Sequence, residues 1–148
     1  MTFSGLKPEK LWEYFSRILE IPHCSGNEEK LAEYLLSLAD EKGYEAEKDD
    51  AGNVVIRVPA TEGHEDAPTV VLQGHLDMVC EKNSDVDVDF MKDGITAKKE
   101  GDWITAEGTT LGADNGIGLA AALAVAEDED AVHGPLEILA TGSEEVGL

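Results

Sequence analysis

Two short strand-forming runs, "TVVLQ" at 69–73 and "PLEILAT" at 135–141, flank a small-residue segment, "NGIGLAAALAVAED" from Asn115. No other feature constrains the fold as much. The first run is apolar on both faces, which predicts a central strand. The second predicts another core strand. Between them, alanines at 120–122, 124 and 126 predict a helix able to lie close against a sheet. Strands alternating with helices imply an α/β three-layer sandwich with a mixed, largely parallel sheet. In such sheets ligands collect outside the carboxyl ends of strands. The polar groups of interest lie there: after strand 69–73, before helix 115–127 and after strand 135–141.

The rest of the chain fits around this unit. Pro8 can open a helix whose Leu11, Phe15, Ile18 and Leu19 share one face and which Pro22 ends. "PHCSGNEEK" reads as a loop into a second helix, with Ser25 or Asn27 as N-cap and Gly43 as C-terminal cap. Asp50 to Asn53 forms a turn and "VVIRV" at 54–58 a strand. Residues 59–68 are a polar connector, and the acidic stretch after Asn83 is loop or edge structure. "ITAKKEGDWITAEG" alternates about Glu100-Gly101-Asp102 and predicts a hairpin.

Charge narrows the function classes. The 148 residues carry 32 acids against 11 bases, a formal net charge of −21. Such a surface repels nucleic-acid phosphates and anionic lipid heads, so neither is expected as a partner. No apolar run reaches the roughly 20 residues that span a bilayer, and "MTFSGLKPEK" lacks the pattern of a secretory signal. Cys24 and Cys80 form no CxxC pair, and inert, unbridged thiols in a cytoplasmic setting are expected.

Three local patterns carry chemistry. In "QGHLDMV", His75 leaves a strand with Asp77 two residues on, which suits a metal ligand and its orienting carboxylate; it equally suits a hydrogen-bonded strand end. In "GTTLGADNGIG", glycines bracket Asp114. Either Asp114 or Asn115 caps the following helix, or the glycines allow tight turns about a carboxylate set between other groups. Glu144-Glu145 is unremarkable alone in so acidic a chain. Other readings fail. "DVDVDF" from Asp85 has Phe90 and Thr96 where a calcium loop needs Gly and Glu. No G-x-S-x-G marks a serine nucleophile. His23, His64 and His133 lie in loops without a patterned carboxylate and read as surface or packing residues.

In combination and order, "GHLDMV", "GTTLGADNGIG" and a strand ending "EEVGL" resemble the M20 family of metallopeptidases. "IPHCSGNEEKLAEYL", "HLDMVCEKN", "TTLGADNGIGLAAALAV" and "VHGPLEILAT" resemble its bacterial Xaa-His dipeptidase subfamily, over about residues 11–148. The resemblance implies part of a zinc-peptidase catalytic domain. It implies His75 as ligand to a first metal, Asp77 as the carboxylate orienting it, Asp114 as a bridge between two metals, Glu144 as general base and Glu145 as ligand to a second metal. The implied cofactors are two divalent ions, zinc ordinarily and cobalt or manganese as substitutes. A cis peptide after Asp114 is implied too. The substrate would be a small peptide, with substrate-binding residues unassigned, and the full-length protein a homodimer.

The family pattern also has a downstream acidic ligand, a late histidine ligand and a lid or dimerisation domain, none of which has a counterpart here. The chain is therefore expected to be the N-terminal part, residues 1–148, of a longer enzyme, inactive in isolation. Two other functions remain open: a related tripeptidase or N-acyl amino-acid deacylase, and a non-catalytic acidic binding module.

Overall fold

The computed structural model describes residues 3–147. Helix α1 (Glu9–Glu20) follows Pro8 and stops at Ile21, just before Pro22. It buries Tyr14, Phe15, Ile18 and Leu19, close to the predicted stripe. Helix α2 (Glu29–Lys42) ends on Gly43, whose φ of 72° is the left-handed conformation that closes a helix C-terminus. Its start differs from expectation. Neither Ser25 nor Asn27 caps it; Glu28 stands at the N-cap position with no side-chain cap bond. The Ser25 hydroxyl is engaged elsewhere.

A four-stranded sheet has the order β1 (Glu45–Lys48), β2 (Val54–Val58), β6 (Leu136–Thr141), β3 (Val70–His75). β1–β2 and β2–β6 are antiparallel and β3–β6 is parallel, so the sheet is mixed, with one parallel pairing. Ile56, Ile138 and Leu72 are in register across the last three strands. β4 (Ala97–Glu100) and β5 (Trp103–Ala106) form the predicted hairpin, turning at Gly101. α3 (Ala113–Glu127) crosses from the hairpin back to the sheet.

One face of the sheet carries the core. Val54, Ile56, Val58, Leu136, Ile138 and Ala140 are buried in one cluster with residues of α1, α2 and α3. The helices thus cover a single face, and two of the three expected layers stand among the described residues. The small residues of α3 serve close packing: a Cβ at Gly116 would lie 3.3 Å from Phe15 Cε2. Strand 69–73, expected at the centre, is instead an edge strand of the described sheet, with Val70 and Val71 exposed. No helix among the described residues is long and apolar enough to cross a membrane.

The expectation of unbridged thiols is overturned. Cys24 and Cys80 form a disulfide, with Cα atoms 5.7 Å apart and a sequence separation of 56. The loop after α1 and the segment leaving β3 run side by side: Met78 N–H donates to His23 O at 3.1 Å and Ser25 N–H to Met78 O at 3.2 Å. That pairing brings together two cysteines that sequence spacing does not relate.

The three helices are also tied by charge. Glu127, at the end of α3, pairs with Lys42 of α2 and lies 3.3 Å from Lys10 Nζ of α1, its side chain only 9% exposed. Burial would push its carboxyl up, but Lys42, Tyr14 and Lys10 outweigh this and hold it below the ordinary glutamate value. A depressed carboxyl stabilises the fold above its unfolded pKa and loses that contribution as pH falls through its folded value. Glu127→Gln should therefore cost about 1–2 kcal/mol at pH 7, between exposed and buried pairs. In urea unfolding the gap between variant and wild type should shrink as pH falls below the ordinary glutamate range.

Candidate metal centre

The site is built at the carboxyl ends of the parallel pair. β3 ends on His75, and Gly74 before it permits close approach of α3. A Cβ at Gly74 would sit 2.6 Å from Asn115 Oδ1 and 2.9 Å from Leu119 Cδ2. β6 ends on Thr141, and Gly142-Ser143 leads into a short 3-10 turn, Glu144–Val146. The third contribution comes from the start of α3. Gly112 is left-handed there (φ 79°), and Asp114 (φ −88°, ψ 107°) and Asn115 (φ −114°, ψ 26°) leave helical geometry. The Asp114–Asn115 peptide is cis, as the resemblance implies. Asp114 makes no cap bond; it projects towards β3.

These segments converge. His75 is buried, and its Nε2 lies 2.8 Å from Asp114 Oδ1 and 3.7 Å from Glu144 Oε2. One ring nitrogen of His75 and one carboxylate oxygen each from Asp114 and Glu145 lie within 4.8 Å of one another. Of the residues singled out in the sequence, His75, Asp77, Asp114, Glu144 and Glu145 all gather here. His64 and His133 do not join them. His23 is buried beside Met78 and packs, its Nδ1–H donating to Ile21 O at 2.6 Å.

Asp77 is the hub. It is 1% exposed. His75 Nδ1–H donates to the Asp77 carbonyl oxygen at 2.8 Å, while Asp77 Oδ1 stands off at 3.4 Å. The orienting partner of the imidazole is thus chiefly the carbonyl of Asp77. Its carboxylate does other work. Oδ1 accepts the Glu144 N–H at 2.9 Å, and Oδ2 accepts the Glu145 N–H at 3.0 Å and the Ser25 hydroxyl at 2.7 Å. Burial raises the Asp77 carboxyl, but Ser25, Glu145 and Glu144 outweigh it and hold it below 3.8. Asp77 is therefore an anion whose lone pairs are already committed. Ser25 is the residue that sequence reasoning missed: it read as a helix cap, and only the crossing of two distant loops places its hydroxyl here.

The geometry of His75 suits a proton or a metal cation at Nε2. With Nδ1–H donating to a carbonyl, Nε2 and Asp114 Oδ1 can approach to 2.8 Å only with a proton or a cation between them. In the protonated state, burial lowers the His75 pKa, but Asp114 and Asp77 more than compensate and raise it above 6.5. One imidazole with its far nitrogen fixed, facing two carboxylates, is a donor set that fits zinc and similar divalent ions. Asp114 is 80% and Glu144 56% exposed on their side chains, so the site is open to solvent and ligand.

No protein-family model matches the chain. It is 56% identical over 145 residues to cytosol non-specific dipeptidase of Escherichia coli, covering 98% of this chain and 30% of that protein. The crystal structure of aminoacylhistidine dipeptidase from Vibrio alginolyticus superposes with a TM-score of 0.95 at 50% identity, over 99% of this chain and 30% of that one. A tripeptidase from Staphylococcus aureus superposes with a TM-score of 0.76 at 25% identity, over 94% and 37%. The chain thus spans about a third of the length of these relatives. By sequence and by fold the chain is a close homologue of part of the cytosol non-specific and aminoacylhistidine dipeptidases.

Proposed function

We propose that the chain supplies the N-terminal part of the catalytic domain of a cytoplasmic metallopeptidase that hydrolyses dipeptides of the Xaa-His type. The observation that carries this reading is the convergence of His75, Asp114 and Glu145 within 4.8 Å at the ends of two parallel strands. Identity favours a dipeptidase over a tripeptidase: 50–56% to the dipeptidases against 25% to the tripeptidase.

In this reading His75 would hold a first divalent ion and Glu145 a second, with Asp114 available to both. Such a pair of ions supplies a water of lowered pKa and stabilises charge developing on the scissile carbonyl. Asp77 fixes the His75 tautomer through its carbonyl, leaving the Nε2 lone pair for an ion. Glu144, beside the donor group and half-exposed, would take a proton from the attacking water and return it to the leaving amine.

The ligand count sets the strength of binding. Each ion would have one private protein ligand and a share of Asp114, against the three or four usual for zinc. The 148-residue chain alone is therefore expected to bind zinc weakly and to leave Xaa-His dipeptides uncleaved. Isothermal titration with zinc beside a dipeptidase assay tests this. Weak heat abolished by His75→Ala is the expected result; robust turnover by the isolated chain would refute it.

A further inference from the structure

We propose that Ser25 is a positioning residue for the metal centre, acting through the Asp77 carboxylate. Its functional meaning rests on the metallopeptidase reading; the contacts themselves do not. Ser25 lies in the loop between α1 and α2. That loop is held against the exit of β3 by the Ser25 N–H on Met78 O, by the Met78 N–H on His23 O and by the Cys24–Cys80 disulfide. The backbone of Ser25 is thus placed independently of its side chain.

The hydroxyl then has one role. It donates at 2.7 Å to Asp77 Oδ2, the oxygen that also accepts the Glu145 N–H. A buried carboxylate can rotate about its Cβ–Cγ bond, and rotation would move both oxygens. The Glu144 N–H restrains Oδ1, and the Ser25 hydroxyl, arriving from a different loop, restrains Oδ2 beside the Glu145 N–H. The Glu144–Val146 turn is only three residues long and contains no buried residue, so packing does not hold it. Its register depends on polar contacts: the two N–H groups on Asp77, and the Ser143 N–H on Glu28 Oε1 at 3.0 Å. Ser25 therefore sets where Glu144 and Glu145 stand relative to His75. A lone hydroxyl 52 residues from Asp77 in sequence becomes part of the support of two functional carboxylates.

The test is amide hydrogen exchange at Glu144 and Glu145 in the metal-free 148-residue chain, comparing wild type with Ser25→Ala and Ser25→Thr. Ser25→Ala should speed both amides about tenfold, the effect of losing one charge-assisted hydrogen bond. Amides of β2 and β6 should be unchanged, and Ser25→Thr should restore the wild-type rates. Ser25→Thr against Ser25→Val, matched in shape, gives the same comparison if the alanine variant does not fold. In a parallel titration with cobalt, Ser25→Ala should weaken binding about tenfold or more and Ser25→Thr should recover it. Wild-type exchange rates at Glu144 and Glu145 in both hydroxyl-free variants would overturn the proposal. A wild-type chain that takes up no cobalt would overturn the metal reading instead, while the exchange rates still decide the role of Ser25.

Discussion

Glu144→Gln is expected to lower dipeptide turnover by about 10² to 10⁴-fold while leaving the bound metal unchanged. The setting is a chimera in which this chain replaces the matching 30% of the Escherichia coli dipeptidase, to which it is 56% identical. Glutamine keeps the size and the backbone N–H that Asp77 accepts, so the turn stays in place. What is lost is a carboxylate that no lysine or arginine neutralises among the described residues, and which stands 3.7 Å from the nitrogen of His75. Glu145→Gln is the contrast. It removes a donor of the proposed metal group, so metal content should fall together with turnover. Steady-state kinetics with metal analysis on both variants separates the two adjacent glutamates. Full turnover by Glu144→Gln would leave the general base unassigned, whereas a chimera with no activity to lose would favour a module that only keeps the motif.

Much of this arrangement is legible in the chain because the residues that build it are local. Strands β2, β3 and β6 announce themselves by β-branched and aliphatic runs, and α3 by its alanines. His75 sits at a strand end because the run stops there. Strand β1 leaves no such mark: "EAEK" is charged and mostly exposed, so neither alternation nor apolarity signals it, and its pairing with β2 alone makes it a strand. The central place expected for β3 failed for a related reason. Apolarity on both faces says that a strand suits burial, not which neighbours it has. The disulfide and the Ser25 contact share a cause, the alignment of the loop after α1 with the exit of β3. No local pattern encodes that crossing. The resemblance to a family singled out five residues that the fold brings close together, but not how Asp77 divides its labour between carbonyl and carboxylate.

That division makes Asp77→Ala the most damaging substitution expected for the fold of the site. Alanine leaves the carbonyl that holds His75 Nδ1 but removes the acceptor of three donors: the N–H groups of Glu144 and Glu145 and the hydroxyl of Ser25. Each orphaned donor costs about 1–3 kcal/mol when buried. The Glu144–Val146 turn can reach solvent, so the sum is reduced, and about 2–5 kcal/mol is expected in urea unfolding. Asp77→Asn should cost less, because one side of the group tolerates it better. An amide facing Oδ1's partners would meet the Glu144 N–H and the His75 Nδ1–H, both fixed donors. An amide on the Oδ2 side meets Glu145 N–H, but Ser25 can rotate its hydroxyl and accept. Asparagine should therefore settle with its oxygen towards Glu144 and leave Glu145 alone unpartnered, at about 1–3 kcal/mol. Cobalt affinity should fall in the same order, wild type over asparagine over alanine, because Glu145 drifts as its N–H loses its acceptor. Equal stability of Asp77→Ala and wild type would mean that the carboxylate is not the anchor of the turn.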